Sequence, residues 1–392
     1  MTSGRIVDSD SHILEPADMW EEYMEPELRS RAMRISVDDL GLEYLDIDGR
    51  VSSGYSGGML GRIAAIGRDG EWMMEHPTLP YSEAAVLAPG AANPHERIKH
   101  LAKEGVDKTF LFPSLGLGWE AECEDPNLSA AYCRAYNRWL VDFCKPYPDQ
   151  LFPIAHVSVR DVDKGVKELK RAAKGGMKGA FICPAPVNGI RYGHEYYDPF
   201  WAAAQDLELP VTLHVIFNPY YIGKHLYPDD PGLGPDFFVE SMVFGDPFLS
   251  FTNMMTEGVF EKFPRLRVVM VEIGCSWIAH WLDFLDFKFD RFGFDTLLTM
   301  KPSDYFKRQC WISAEPIEKG IGVVARIVGT DRFMWGSDWP HPEGHTDPVR
   351  KVKENIANLP VQDQRKILGE NALALYRIDV PVQTVGSPGG IP

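Results

Sequence analysis

The chain has 392 residues, 45% of them hydrophobic and 12% aromatic, enough to bury a large core. Its 40 basic residues face 56 acidic ones, a net charge of −16, and no basic cluster exceeds a few residues, which argues against nucleic acid or an anionic membrane surface as a partner. The 6 cysteines lack C-x-x-C spacing and read as reduced, mostly buried thiols rather than a disulfide scaffold. No apolar stretch approaches the ~20 residues that span a bilayer, and no signal peptide precedes the first strand pattern, so the cytoplasm is the expected location.

Taken in order, eight short apolar, β-rich runs occur at 5–10, 108–112, 151–157, 179–183, 211–215, 267–272, 309–314 and 332–337. Helical spacing follows or intervenes at 127–144, 163–173, 199–207, 277–292, 316–328 and 363–376. Strands alternating with helices imply parallel pairing and right-handed crossovers, and eight of them predict a (β/α)₈ TIM-type barrel. The competing open sheet usually carries a glycine fingerprint after its first strand, and none is present. Barrels with insertions reach this length as one unit, so residues 1–380 are expected to form a single barrel, with 381–392 a flexible tail or an arm to a neighbouring subunit.

Two stretches break the repeat. Residues 30–90 hold a hairpin pattern at 43–51 turning at Asp48-Gly49, then a Gly/Met-rich segment. Residues 217–258 are rich in Tyr, Phe, Pro and Gly. Both are expected as inserted loops over the C-terminal face of the barrel. Tyr220, Tyr221, Phe237, Phe238 and Trp119 fit either an aromatic or apolar ligand or packing between loop and barrel. The insertions and tail also point to a homodimer or larger homo-oligomer.

Chemistry-bearing residues fall at the strand ends. Asp10 and His12 are two apart, so in a strand both side chains face the same way. Alone, the pair fits a helix cap and a surface histidine equally well. His214 ends the fifth run, Glu272 the sixth, and Asp338 follows the eighth. A buried carboxylate needs a partner, and oxygen and nitrogen donors converging at one end of a barrel are a divalent-metal set. Asp10, His12, His214 and Asp338 are the expected ligands, and Glu272 is a further ligand, a base or an orienting group. His341 is placed to bind substrate or to hold Asp338. Lys178, before the fourth run, reads as a solvent-facing or structural lysine.

The segments Val7-Asp8-Ser9-Asp10-Ser11-His12-Ile13-Leu14-Glu15-Pro16 and Gly336-Ser337-Asp338-Trp339-Pro340-His341 resemble the opening and closing motifs of the amidohydrolase superfamily. So, less specifically, do Gly105-Val106-Asp107 leading to Phe112-Pro113, Tyr197-Asp198-Pro199-Phe200-Trp201, Leu209-Pro210-Val211-Thr212-Leu213-His214 and Phe263-Pro264-Arg265-Leu266. The likeness covers nearly the whole chain. It points to the branch that includes 2-amino-3-carboxymuconate-semialdehyde decarboxylase and γ-resorcylate decarboxylase. That resemblance implies one divalent metal on Asp10, His12, His214 and Asp338. Two departures stand out: the first ligand is Asp10 where His or Glu is common, and Glu272-Ile273-Gly274 replaces the His that the decarboxylases carry at the end of strand six.

With that histidine missing, a metal-dependent hydrolase is the first expectation. A metal-activated water would attack a small cyclic amide, lactone, ester or activated C–C bond, Asp338 would shuttle the proton, and Glu272 and His341 would assist. The alternative is a metal-dependent, non-oxidative decarboxylase of an aromatic or unsaturated carboxylic acid, with Asp338 or protonated Glu272 as the acid. A third reading is a non-catalytic metabolite-binding barrel. Zn²⁺ is the expected ion, with Mn²⁺ or Fe²⁺ next, and the expected partner is a small molecule, an aromatic or apolar carboxylate.

Overall fold

The first apolar run becomes strand β1 (Val7–His12) of a computed structural model that describes residues 5–186, 188–216 and 241–378. An antiparallel sheet of β2 (Arg34–Val37), β3 (Glu43–Ile47) and β4 (Arg50–Val51) follows. The remaining strands are β5 (Lys108–Phe112), β6 (Leu151–His156), β7 (Gly179–Ile182), β8 (Val211–His214), β9 (Val268–Val271), β10 (Cys310–Ala314) and β11 (Phe333–Trp335). β1 and β5 to β11 pair in parallel in that order, matching the eight expected runs to within a few residues. Closure runs from β11 back to β1. Ser337 and Asp338 both donate their backbone N–H to the Asp10 carbonyl at 3.0 Å, and His12 donates to the Trp339 carbonyl at 2.7 Å.

The wall of this barrel separates two apolar clusters. Val7, Phe110, Phe152, Ile154, Phe181, Val269, Val271 and Met334 belong to the inner one, and the helices pack over the other. Two of the helices begin where the sequence supplies an N-cap followed by Pro at the first turn. Asp125 accepts from Asn127 N (2.9 Å) at the head of Pro126–Cys144, and Asn93 accepts from His95 N (2.8 Å) at the head of Pro94–Glu104. The latter ends on Gly105 at φ 72°, a left-handed cap that only glycine adopts without strain.

Three local expectations change. The turn at Asp48-Gly49 forms with both residues at positive φ (56° and 78°), but the hairpin gains β2 as a third strand. The second insertion, expected as loop, contains the helix Gly245–Thr256, because Phe251, Met254 and Met255 recur at helical spacing and are fully buried. Its residues 217–240, with Tyr220, Tyr221, Phe237 and Phe238, lie outside the described residues, as do 379–392. The last helical pattern is broken into Val361–Arg365, a wider π turn at Lys366–Glu370, and Asn371–Leu375. There Gly369 lets the chain approach the Arg5 carbonyl, which a Cβ would meet at 2.3 Å. All six cysteines are buried and unbridged, as expected. Among the described residues no helix is long and apolar enough to cross a membrane.

The barrel seam has no room to spare. A Cβ on Gly336 would sit 2.3 Å from the Asp10 Cβ. Gly336→Ala is therefore expected to destabilise the fold by about 1–3 kcal/mol through overpacking, read by urea or thermal unfolding. An unchanged midpoint would contradict the seam as described.

Candidate metal centre

Strand phase decides which side chains face the barrel mouth. In β1, Val7 belongs to the inner cluster, so simple alternation would next turn Ser9 and Ser11 inward. A register shift between Asp8 and Ser11 against β5 inserts one extra residue. It re-aims the strand, so Asp10 and His12 point inward and Asp8 turns to the seam, where its carboxylate accepts from Ser337 N (2.9 Å) and Ser337 Oγ (2.6 Å). His214 ends β8. Glu272 and Asp338 lie one residue after β9 and three after β11, at φ 60° and 51°. Left-handed backbone is uncommon for residues other than glycine and marks a place where the surroundings hold strain.

These side chains meet. His12 Nε2 lies 3.4 Å from Asp10 Oδ1 and 3.2 Å from Asp338 Oδ1, and His214 Nε2 lies 3.3 Å from Asp10 Oδ1 and 3.2 Å from Glu272 Oε2. Asp10, His12, His214 and Glu272 each place a ligand atom within 4.8 Å of all the others. Asp338 forms a second such group with His12 and His341, and a third with Glu272, His341 and the exposed Glu343. Glu272 thus groups with Asp10, His12 and His214, while Asp338, 3.2 Å from His12, falls in the neighbouring groups. His341 Nδ1 is 2.9 Å from Asp338 Oδ1, its ring stacks on that of His12 at 3.9 Å, and its Nε2 meets Ser114 Oγ at 2.9 Å.

Both expected ligand histidines have their outer nitrogen engaged. His12 Nδ1 meets the Pro113 carbonyl at 2.7 Å and His214 Nδ1 the Val215 carbonyl at 2.7 Å. A carbonyl can only accept, so Nδ1 donates a proton to it and Nε2 is the nitrogen turned inward, the arrangement of metal-binding imidazoles. The inward atoms Asp10 Oδ2, His12 Nε2, Glu272 Oε2 and both oxygens of Asp338 are buried, and although His12 Nε2, Glu272 Oε2 and Asp338 Oδ1 lie within 3.4 Å of a neighbouring histidine or carboxylate, none of these atoms completes a well-aligned hydrogen bond. Buried polar atoms left without partners are costly. An oxygen and nitrogen donor set whose inward atoms converge in this way fits a divalent cation.

The electrostatics carry the same signature. Burial, with the charges of Asp338 and Asp10 added, pushes the Glu272 carboxyl well above the usual carboxylate range. Burial acts upward on Asp338 as well, but His341 and His12 outweigh it and hold Asp338 below that range. Asp10 is held low against burial by His214 and His12. His12 resists burial and rises to about 10 beside Asp10 and Asp338, while burial and His12 push His341 down. The carboxylates of the cluster thus favour positive charge on His12.

Other candidates lie elsewhere. Lys178 precedes β7, at the end of the barrel away from this cluster, and is half-buried. Trp119 is buried against Tyr132 and His156 with ring centroids 5.2 and 4.9 Å away, the packing option rather than an open ligand wall. Sequence reading passed over Ser114 and Arg97. Buried Arg97 donates to the His12 carbonyl at 3.0 Å and lies over the Trp339 ring at 4.4 Å, tying β1 to the closing loop. No spacing rule joins Arg97 or Ser114 to strand ends so far away in sequence.

Known proteins give this geometry a context. The chain is 24% identical over 302 residues to the γ-resorcylate decarboxylase of Rhizobium sp. (strain MTP-10005), covering 72% of this chain and 86% of that one. An amidohydrolase structure from Mycobacterium avium subsp. paratuberculosis K-10 superposes with a TM-score of 0.79 at 22% identity, over 96% of this chain and all of that one. The 5-carboxyvanillate decarboxylase of Novosphingobium aromaticivorans DSM 12444, solved with manganese and 4-hydroxy-3-methoxy-5-nitrobenzoic acid, superposes with a TM-score of 0.68 at 19% identity, over 96% and 97% of the two chains. These two likenesses establish a shared fold. The amidohydrolase family model matches residues 79–378, which takes in β5 to β11 and so seven of the eight barrel strands. By that match, and with the Asp-x-His strand closing the same barrel, the chain belongs to the amidohydrolase family.

Proposed function

We propose that this protein is a metal-dependent, non-oxidative decarboxylase of an aromatic carboxylic acid with a hydroxyl beside the carboxyl. The observation that carries the reading is the buried cluster of Asp10, His12, His214 and Glu272 with unpartnered donor atoms. It occurs in a chain similar over 72% of its length to a γ-resorcylate decarboxylase. This reverses the order expected from sequence, which put hydrolysis first. Manganese in the 5-carboxyvanillate decarboxylase and the mixed carboxylate and imidazole donors make Mn²⁺ the first ion to test, ahead of Zn²⁺.

Asp10, His12, His214 and Glu272 would hold the cation. When bound, the ion would supply Lewis-acid stabilisation of negative charge on the substrate's oxygens. His12 and His214 keep Nε2 turned inward through the Pro113 and Val215 carbonyls. Asp338 and His341, 2.9 Å apart, form the proton-transfer pair; because Asp338 is held low and His341 is pushed down, the form that acts is the minor one in which the pair has taken up one added proton. Asp338 delivers it to the ring carbon that bears the carboxyl. The bond from that carbon to the carboxyl then breaks, its electron pair restores the aromatic ring, and CO₂ leaves. His341 returns a proton to Asp338 from the side where its Nε2 meets Ser114 Oγ.

Hydrolysis keeps one supporting observation, Glu272 where the resembling decarboxylases carry His. Turnover of a panel of hydroxybenzoates, lactones and cyclic amides in D₂O and ¹⁸O-labelled water separates the two. Decarboxylation is expected to release CO₂ and place one deuterium on the ring, whereas ¹⁸O in the product without CO₂ would establish the hydrolase.

Two substitutions divide the carboxylates. Asp338→Asn should keep the metal and lower the rate on the order of 10²–10⁴-fold, the scale of a lost proton donor. Glu272→Gln should weaken Mn²⁺ binding by at least about tenfold. In the wild type the rate should fall as pH rises, because the added proton is then lost, and Asp338→Asn should lack that basic limb. Metal loss in Asp338→Asn with normal binding in Glu272→Gln would exchange the two roles.

A further inference from the structure

Glu15 is a fully buried carboxylate three residues past the metal strand, and the mechanism above does not use it. No charged side chain is among the main influences on it. Instead three consecutive backbone N–H groups turn toward it: Ser114 at 3.2 and 3.3 Å, Leu115 at 3.0 Å and Gly116 at 2.9 Å. Successive amides that converge in this way form a nest for an anion, and they act against burial, which pushes the Glu15 carboxyl up to about 7. Gly116 is required, since a Cβ there would lie 2.4 Å from the Pro113 Cβ and 3.2 Å from Glu15 Oε1.

The clamped segment is the one that orients two of the site histidines. Pro113 O meets His12 Nδ1 at 2.7 Å, and the next residue's Ser114 Oγ meets His341 Nε2 at 2.9 Å. Two tyrosines of the first insertion brace the clamp from outside. Tyr55 donates to Ser114 O at 3.0 Å and Tyr81 to Glu15 O at 2.9 Å. We infer that Glu15 is a positioning residue whose carboxylate, by fixing residues 113–116, sets the orientation of the metal-facing His12 and the proton-carrying His341 together. Glu15 touches neither substrate nor reacting atoms. Its effect reaches the chemistry through one loop that serves two separate functions, metal binding and proton transfer. The inference rests on the metal reading given above.

The test uses the full chain with Mn²⁺ as probe. Glu15→Gln is nearly isosteric but presents an amide NH₂ to a wall of N–H donors, and Glu15→Ala opens a cavity lined by those donors. Both variants are expected to bind Mn²⁺ about tenfold or more weakly. At saturating Mn²⁺ both should still show a lower kcat with little change in KM, because His341 is also released. Formate, a carboxylate small enough for the cavity, should restore Mn²⁺ affinity and kcat to Glu15→Ala and leave Glu15→Gln unmoved. Wild-type affinity and kcat in folded Glu15→Gln would overturn the inference, as would a loss in Glu15→Ala that formate does not repair. A wild-type protein that binds no Mn²⁺ would overturn the metal reading and this inference with it, whereas normal wild-type binding with unaffected variants overturns this one alone.

Discussion

Three carboxylates and two imidazoles share the mouth of one barrel at separations of 3.2–3.4 Å, almost wholly out of reach of water. Bringing Asp10, Glu272 and Asp338 together there is unfavourable twice over, through lost hydration and through mutual repulsion. Positive charge among them is the remedy. Burial and the neighbouring carboxylates push Glu272 well above the ordinary carboxylate range, and Asp10 and Asp338 push His12 up to about 10. A divalent cation would satisfy the same demand and the unpartnered lone pairs as well.

Much of the surrounding structure serves to hold that unfavourable arrangement. The extra residue in β1 turns Asp10 and His12 inward, and Gly336 makes room for Asp10 at the seam. The Asp10 carbonyl accepts from both Ser337 and Asp338, so two of the carboxylate-bearing segments are joined through backbone. Left-handed conformations at Glu272 and Asp338 carry strain that closure of the barrel and the His341 contact maintain. Outer-nitrogen contacts of His12 and His214 fix the proton on the far side of each ring. A site assembled in this way is ready for a cation before one arrives, which lowers the cost of binding.

The barrel was legible because its strands are short, apolar and regularly alternated with helices, a pattern that depends on local periodicity alone. Asp10, His12 and His214 were legible for the same reason, since each sits at a strand end. What escaped depends on tertiary contacts. The bulge in β1 leaves no mark in Val7-Asp8-Ser9-Asp10, because either phase offers a plausible inward face. Whether Glu272 or Asp338 completes the tight group turns on loop conformations one and three residues past their strands, beyond the reach of strand periodicity. Glu15 was visible within the opening motif, but its role emerges only when a loop some hundred residues on folds back over it. The helix Gly245–Thr256 was masked by the Tyr, Phe, Pro and Gly content of the segment before it.

The most direct test of the proposed centre is anomalous diffraction from crystals grown with Mn²⁺. One strong peak is predicted per chain, within coordination distance of His12 Nε2, His214 Nε2 and a carboxylate oxygen each of Asp10 and Glu272. Asp338 should remain paired with His341. Absence of a peak from this cluster at saturating Mn²⁺, or a peak that Asp10 and His214 do not touch, would contradict the account.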